Sequence, residues 1–356
     1  MIIAVDAAGG DYAPYEVVKG ALQAAEEYDV EIALVGKKDI LHVLTSRPSK
    51  LPRRRTRKSR LTIVDASQVI DCHESPIKAI QSKPDSSIVV GINMVRQGKA
   101  AAFISAGHSG AVAVASFLSL GKIEGIPRPA IGSFINITPH NPVFLIDAGA
   151  NVDCRPEHLV WFAYLGNLYV NQILGIASPR VGLLSNGEEE TKGNKLVLET
   201  HQLLKKTDLN FIGNIEGHDI VKDAVDIIVT DGFVGNVVLK TLEGITDTWL
   251  YSLNQAGQVL AKAYRVPLQA LHRDVGMEAW TKRLDYQEYG GACLLGVRGN
   301  VIISHGRSRA RAIKNAIGLA KKTAEKDIAQ KIEQRSRELA PILAEKVENG
   351  HVEVRV

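Results

Sequence analysis

Cysteine is scarce in this chain of 356 residues. Cys72, Cys154 and Cys293 are odd in number and far apart, and no CxxC or CxxH spacing occurs. That pattern supports neither a disulfide framework nor a zinc site, and a reducing, cytoplasmic setting is expected. Long apolar runs are missing too, so no stretch approaches a membrane-spanning helix. The opening Met1-Ile2-Ile3-Ala4-Val5-Asp6 has no basic region and no long apolar run. It is read as a strand entering a domain, not as a signal peptide. Strong charge of either sign is absent: a net +4 suits acidic partners without demanding nucleic acid. The dinucleotide spacing GxGxxG and the Walker lysine are missing, which argues against nicotinamide and ATP chemistry. No metal-ligand cluster and no internal repeat stand out, so neither metal nor cofactor is expected.

What is present is a hydrophobic fraction of 45% with 31 glycines, the composition of a packed protein with many tight turns. Short, nearly continuous apolar runs rich in β-branched residues occur at 2–5, 32–35, 61–64, 101–105, 143–146, 181–184, 210–212 and 227–229. Such runs fit strands covered on both faces. Helical periodicity fills gaps between them, as at 16–27 and 195–206. This alternation predicts an α/β fold with a mostly parallel sheet and helices on both sides. One large domain is expected over residues 1–330, followed by a charged C-terminal helix or tail over 331–356.

Each strand end is followed by small or polar residues. The first loop is Asp6-Ala7-Ala8-Gly9-Gly10-Asp11, where paired glycines let backbone approach a ligand closely. Next comes Ser105-Ala106-Gly107-His108-Ser109-Gly110-Ala111, set between a strand and an apolar helix at 112–120. Strand, glycine-rich turn, helix is the arrangement that aims backbone N–H groups at an anion. Asp147-Ala148-Gly149-Ala150-Asn151-Val152-Asp153 follows, then Asn186-Gly187-Glu188-Glu189-Glu190-Thr191-Lys192-Gly193-Asn194. Two more are Thr230-Asp231-Gly232-Phe233-Val234-Gly235-Asn236, before a helix expected near Val237, and Tyr289-Gly290-Gly291-Ala292, before a run at 293–297. One such loop is an ordinary turn. Six at the ends of parallel strands are expected to gather on one rim and form a polar, phosphate-binding cleft.

Three segments stand apart. Residues 47–60 hold Arg53-Arg54-Arg55 and Arg57-Lys58 between prolines, and read as a solvated loop or an anionic docking patch. In residues 244–280, Trp249, Leu253, Ala256, Leu260 and Tyr264 form one apolar helical face, followed by Val266-Pro267-Leu268-Gln269-Ala270-Leu271. The residues alone leave three readings open: core packing, a dimer contact, or a hairpin tip touching a bilayer. After Ser304 the pattern predicts one or two long helices, with Arg307, Arg309 and Arg311 at the start.

Through these loops, in order over about residues 1–325, the sequence resembles the bacterial phosphate acyltransferases of phospholipid synthesis, the PlsX type. The resemblance implies transfer of a long-chain acyl group from an acyl carrier protein thioester to inorganic phosphate, giving acyl phosphate. It implies a three-layer α/β/α sandwich related to phosphate acetyltransferases and isopropylmalate dehydrogenase-like enzymes, with a protruding helix hairpin. A homodimer, peripheral contact with the membrane and contact with the next acyltransferase of the pathway are also implied. The hairpin tip then falls on Val266, Leu268 and Leu271. Two departures occur: Ala8 stands where the family usually has Met, and His108-Ser109 where it usually has Asn-Thr.

Thioester phosphorolysis needs no enzyme nucleophile, because hydrogenphosphate is itself nucleophilic and a thiol leaves readily. The protein must align the reactants and stabilise an oxyanion. Lys192 is expected to neutralise charge, with Asn151, Asn194 and Asn236 orienting. Phosphate binding is assigned to Gly9, Gly10, Asp11, Ser105, Gly107, His108, Ser109, Gly110, Asp231, Gly232, Gly290 and Gly291. The aspartates at 6, 11, 147 and 231 are read as loop-positioning groups. A covalent route through Cys154 or Cys293 is the rival mechanism. Rival functions are a short-chain phosphate acyltransferase using acyl-coenzyme A and a non-enzymatic scaffold recruited to membranes.

Overall fold

The computed structural model describes residues 1–46, 60–135, 142–264 and 290–348. The Arg53-to-Lys58 run and the expected membrane-contact residues Val266, Leu268 and Leu271 lie outside them. Eleven strands of the described residues form one sheet, in the order β3-β2-β1-β4-β11-β10-β5-β6-β9-β7-β8. They are β1 (Ile2–Asp6), β2 (Glu31–Gly36), β3 (Leu61–Asp65), β4 (Ala102–Ser105), β5 (Ala130–Ile135), β6 (Val143–Ile146), β7 (Val181–Leu184), β8 (Phe211–Ile215), β9 (Ile227–Val229), β10 (Ala292–Leu295) and β11 (Asn300–Ile303).

Adjacent residues of these runs point to opposite faces, and both faces are covered. Ile3 and Val5 pack in one apolar cluster with Val17 and Val18 of α1 (Tyr15–Glu27), with α6 (Pro156–Leu174) and with Ile313 of α9 (Ala310–Glu325). Ala4 packs in the other with α4 (Ser87–Arg96) and α5 (Ser109–Leu120). The result is a three-layer α/β/α sandwich with a mostly parallel sheet. The double coverage explains why the strands read as continuous apolar runs and not as alternating ones.

The sheet is not parallel throughout. β10 is antiparallel to both β11 and β5, and β5 is antiparallel to β6. The set β3-β2-β1-β4-β11 therefore runs one way and β6-β9-β7-β8 the other. This corrects the expectation that six strand ends gather on one rim of a parallel sheet. The register nevertheless brings two of those ends together. Ser105 pairs with Ile303, which pairs with Ala292; the next residue, Cys293, pairs with Gly132, which pairs with Ile146. The carboxyl ends of β4 and β6 thus lie one residue apart in level, facing each other across β11, β10 and β5.

Three further findings differ from the sequence reading. β5 was not expected, because its Ala-Ile-Gly-Ser-Phe-Ile run is interrupted by small and polar residues. The helix after β9, α8 (Gly232–Tyr264), starts earlier than Val237, with Asp231 Oδ1 accepting from the Phe233 and Val234 N–H groups. The expected division at residue 330 falls inside α10 (Ile328–Glu348), whose Ile332 and Leu339 are buried against the core. No helix of the described residues is long and apolar enough to cross a membrane.

Candidate active site

Where β4 and β6 end, two buried aspartates shape the loops. Asp6, at the end of β1, accepts through Oδ1 from the Ala8 and Gly9 N–H groups, both at 3.0 Å. Its Oδ2 accepts from Ser105 Oγ at 2.6 Å, and Ser105 Oγ accepts from the Gly107 N–H at 3.0 Å. One carboxylate thus joins the β1 loop to the β4 loop. Gly9 is required there by proximity: a Cβ would meet Asp6 Oδ2 and stand 2.8 Å from Gly107 Cα.

In the other half, Asp147 plays the same part. Oδ1 accepts from the N–H groups of Ile131, Gly149 and Ala150. Oδ2 accepts from the Asn151 backbone N–H at 2.7 Å and side-chain amide at 2.8 Å. Burial pushes both carboxyls above their ordinary range, and these hydrogen bonds pull the other way. Donors saturate each aspartate, which leaves them as scaffolding for the turns.

Between the two loops lies a cavity of about 360 Å³. Ser109, Gly149, Asn236, Gly290, Gly291 and Ser304 give it a polar side, and Ile131, Phe134, Leu239 and Ile303 an apolar one. Phe134 is backed by Phe144, with ring centroids 4.9 Å apart, and Phe144 by Tyr169 at the same spacing. Ser109 opens α5, whose preceding residue His108 makes no side-chain cap. His108 instead places Nε2 3.0 Å from the Glu74 carbonyl. Among the described residues, nothing accepts from the N–H groups of Ser109 and Gly110. A helix N-terminus left open in this way attracts an anion through its free donors and its dipole.

Of the residues expected from sequence, the structure brings Ser109, Asn236, Gly290 and Gly291 into the cavity wall. Ser105, Gly107, Gly9 and Gly10 lie behind it, in the joined β1 and β4 loops; Gly10 backs onto Ala106 and the Gly306 carbonyl. The Asp11 N–H donates to that same carbonyl at 2.8 Å. Gly110 packs beside Pro76 and His108. Asn151 donates its amide hydrogens to Pro129 O and Asp147 Oδ2, and its carbonyl accepts from the Gly232 N–H. With Asp231 capping α8, the N–H groups of residues 232–235 are all engaged within the protein. Lys192 and Asn194 are exposed in the loop between β7 and α7 (Lys195–Leu204), outside the cavity lining, and Asn194 Oδ1 caps α7 through the Val197 N–H.

Sequence reasoning missed three polar residues beside the cavity. Lys240 and Glu243 sit on α8, one and two turns beyond Asn236, and His305 follows β11. Lys240 Nζ donates to Glu243 Oε2 at 2.7 Å, and His305 Nε2 lies 3.3 Å from that oxygen. Burial alone would raise the Glu243 carboxyl, but bonds from His305 and Lys240 hold it below its ordinary range. The available clue was the spacing Asn236, Lys240, Glu243, which shares one helix face. For His305 it was the strand-end loop Ser304-His305-Gly306, read only as the start of a tail.

Cys154 and Cys293, the two candidates for a covalent route, are unsuited to nucleophilic attack at neutral pH. Burial first, and nearby Asp147 second, push Cys154 up to about 12, and burial pushes Cys293 up to about 12. Among the described residues, one trio, Glu188, His218 and Asp219, gathers potential metal-ligating atoms, with two of its members exposed. Asp219 already accepts from the Glu216 N–H and from Lys222.

Residues 1–331 match the family model described as fatty acid synthesis protein. The chain is 55% identical over 342 residues to a phosphate acyltransferase of Dehalococcoides mccartyi, covering 95% of this chain and 96% of the relative. It is 46% identical over 334 residues to a phosphate acyltransferase of Pelotomaculum thermopropionicum, covering 93% and 94%. In fold it is similar to a phosphotransacetylase from Streptococcus pyogenes, with a TM-score of 0.57 at 17% identity over 91% of this chain and 94% of the other. A 4-hydroxythreonine-4-phosphate dehydrogenase from Klebsiella pneumoniae aligns with a TM-score of 0.50 at 10% identity over 91% and 99%.

Proposed function

Since the chain belongs to the phosphate acyltransferase family of fatty acid synthesis proteins, we propose that it transfers a long-chain acyl group from an acyl carrier protein thioester to inorganic phosphate, releasing acyl phosphate and the carrier thiol. The observation that carries this reading is the union, in one cavity, of an open helix N-terminus at Ser109 with an apolar wall of Ile131, Phe134 and Leu239. The first suits an oxyanion and the second an acyl chain.

In the proposed reaction a phosphate oxygen attacks the thioester carbonyl carbon. The new C–O bond forms, the C–S bond breaks, and the electron pair leaves on sulfur, which takes up a proton. A thiol with a pKa near that of free cysteine, about 8.5, departs without a strong acid. The protein's work is alignment and oxyanion stabilisation, where loss of one good donor costs roughly 10²–10³ in rate. The N–H groups of Ser109 and Gly110, with the Asn236 amide, are the proposed donors. Lys192, in the exposed loop that follows β7, the neighbour of β9, is proposed to add positive charge.

An acidic carrier protein is the proposed donor partner, docking on basic residues such as Arg307 near the cavity mouth. A homodimer is proposed through the exposed apolar residues of α8, among them Ile245 and Trp249. Peripheral contact with membrane lipid and with the next acyltransferase is proposed for the hairpin tip expected from sequence.

The test is incubation of the purified protein with long-chain acyl carrier protein and phosphate, following thiol release and acyl phosphate formation. Phosphate-dependent release with acyl phosphate supports the reading. Turnover only with coenzyme A thioesters moves the donor, and no turnover with either from folded protein overturns it.

A further inference from the structure

Two donors on different elements converge on one carboxylate oxygen beside the cavity. Lys240 Nζ, on α8, donates to Glu243 Oε2 at 2.7 Å. His305 Nε2, from the loop after β11, is 3.3 Å from the same atom. The tautomer of His305 follows from its other nitrogen, because Nδ1 accepts from the Arg307 N–H at 3.0 Å. The ring hydrogen therefore sits on Nε2, the nitrogen 3.3 Å from Glu243 Oε2. A cation and a fixed N–H thus cradle one oxygen, which is the geometry that holds an oxygen of phosphate equally well.

The surroundings favour a phosphate at this place. Lys240, Glu243 and His305 line the same cavity as Ser109 and Asn236. A phosphate dianion drawn to the α5 N-terminus would meet the Glu243 carboxylate as a like charge. Exchanging one oxyanion for the other removes that repulsion and keeps both donors engaged. The Glu243 side chain is 18% exposed, which gives it a route toward solvent.

We propose that Glu243 is an internal competitor for an oxyanion seat formed by Lys240 and His305, and that inorganic phosphate binds by displacing its carboxylate. This deepens the reading of phosphate as the acyl acceptor and rests on it for its biological meaning. Asn236, one turn before Lys240 on the same helix face, lies beside the seat. Glu243 then sets the affinity for phosphate without touching the bound ion.

Calorimetric titration of the full-length protein with inorganic phosphate tests this. Replacing a charged competitor by a neutral one weakens competition, so Glu243→Gln should tighten phosphate binding roughly 5–10-fold. Lys240→Met should weaken it more than about 10-fold. Unchanged or weaker binding in Glu243→Gln overturns the proposal and makes Glu243 a residue that merely holds Lys240 and His305 in place. Should Glu243→Gln fail to fold by circular dichroism, Glu243→Asp decides: the shorter carboxylate withdraws from the seat, so tighter binding supports the proposal and unchanged or weaker binding overturns it. Thioester cleavage by the unmodified protein is measured in parallel. Cleavage that needs phosphate, with no affinity change in the variants, overturns the seat alone. Absence of cleavage with carrier-protein and coenzyme A thioesters overturns the acyl-transfer reading, while the phosphate affinities still decide the seat.

Discussion

Ser105 donates its hydroxyl to Asp6 Oδ2 at 2.6 Å, so the last residue of β4 is tied to the last residue of β1 by a buried bond. The same hydroxyl oxygen receives the Gly107 N–H. A single side chain thus holds the turn that leads into α5.

Ser105→Ala should leave Asp6 Oδ2 without its closest donor and the Gly107 N–H without an acceptor. Loss of a buried partner of this kind costs about 1–3 kcal/mol. Urea denaturation is expected to show that loss with an unchanged m-value. Acyl transfer should fall as well, because the α5 N-terminus is no longer held.

Two glycines predict opposite outcomes for the same substitution. Gly9→Ala forces a Cβ against Asp6 and the Gly107 backbone, and should lower both stability and turnover. Gly244 is exposed within α8, and a Cβ there meets nothing within 4 Å. Gly244→Ala should stabilise by about 0.5–1 kcal/mol by restricting the unfolded chain, with turnover unchanged. Thermal melts and initial rates on the two variants check the contrast.

Glu243 predicts a pH dependence. Its folded-state carboxyl lies below the ordinary 4.5, through the bonds from His305 and Lys240 acting against burial. A lowered carboxyl contributes stability that is present above 4.5 and disappears as pH falls through the folded value. Glu243→Gln should therefore flatten the acid limb of the stability curve below about 4.5, with little slope change between pH 6 and 8 from this group. Urea midpoints across pH 3–8 measure it.

The cysteines predict where alkylation will occur. Cys72 is exposed, whereas Cys293 is buried with its sulfur 2.6 Å from Tyr169 Oη. At pH 7.5 iodoacetamide should label Cys72 and spare Cys293 until the protein unfolds. A Cys154→Ala, Cys293→Ala double variant should keep its turnover while losing stability through the cavity left beside Tyr169. Mass spectrometry and initial rates give the two readouts, and loss of turnover from well-folded double variant would revive a covalent route.

Much of this protein is legible along the chain. The runs at 143–146, 181–184 and 227–229 are strands residue for residue, because a doubly covered strand must be apolar on both faces. Glycine and aspartate at the strand ends mark turns whose N–H groups need a nearby carboxylate, as Asp6 and Asp147 provide. Those are local requirements, and local sequence carries them. The direction of the two half-sheets is another matter. It depends on β5 and β10 pairing antiparallel across a large stretch of chain, and β5 is too interrupted by Gly132 and Ser133 to announce itself. The meeting of Lys240 and Glu243 with His305 is equally invisible to periodicity, since charge interactions follow distance in space. The sequence by itself therefore determined the layers and the strand ends. Only the tertiary structure decided that ends of opposed strands share one cavity, and which charged side chains stand in it.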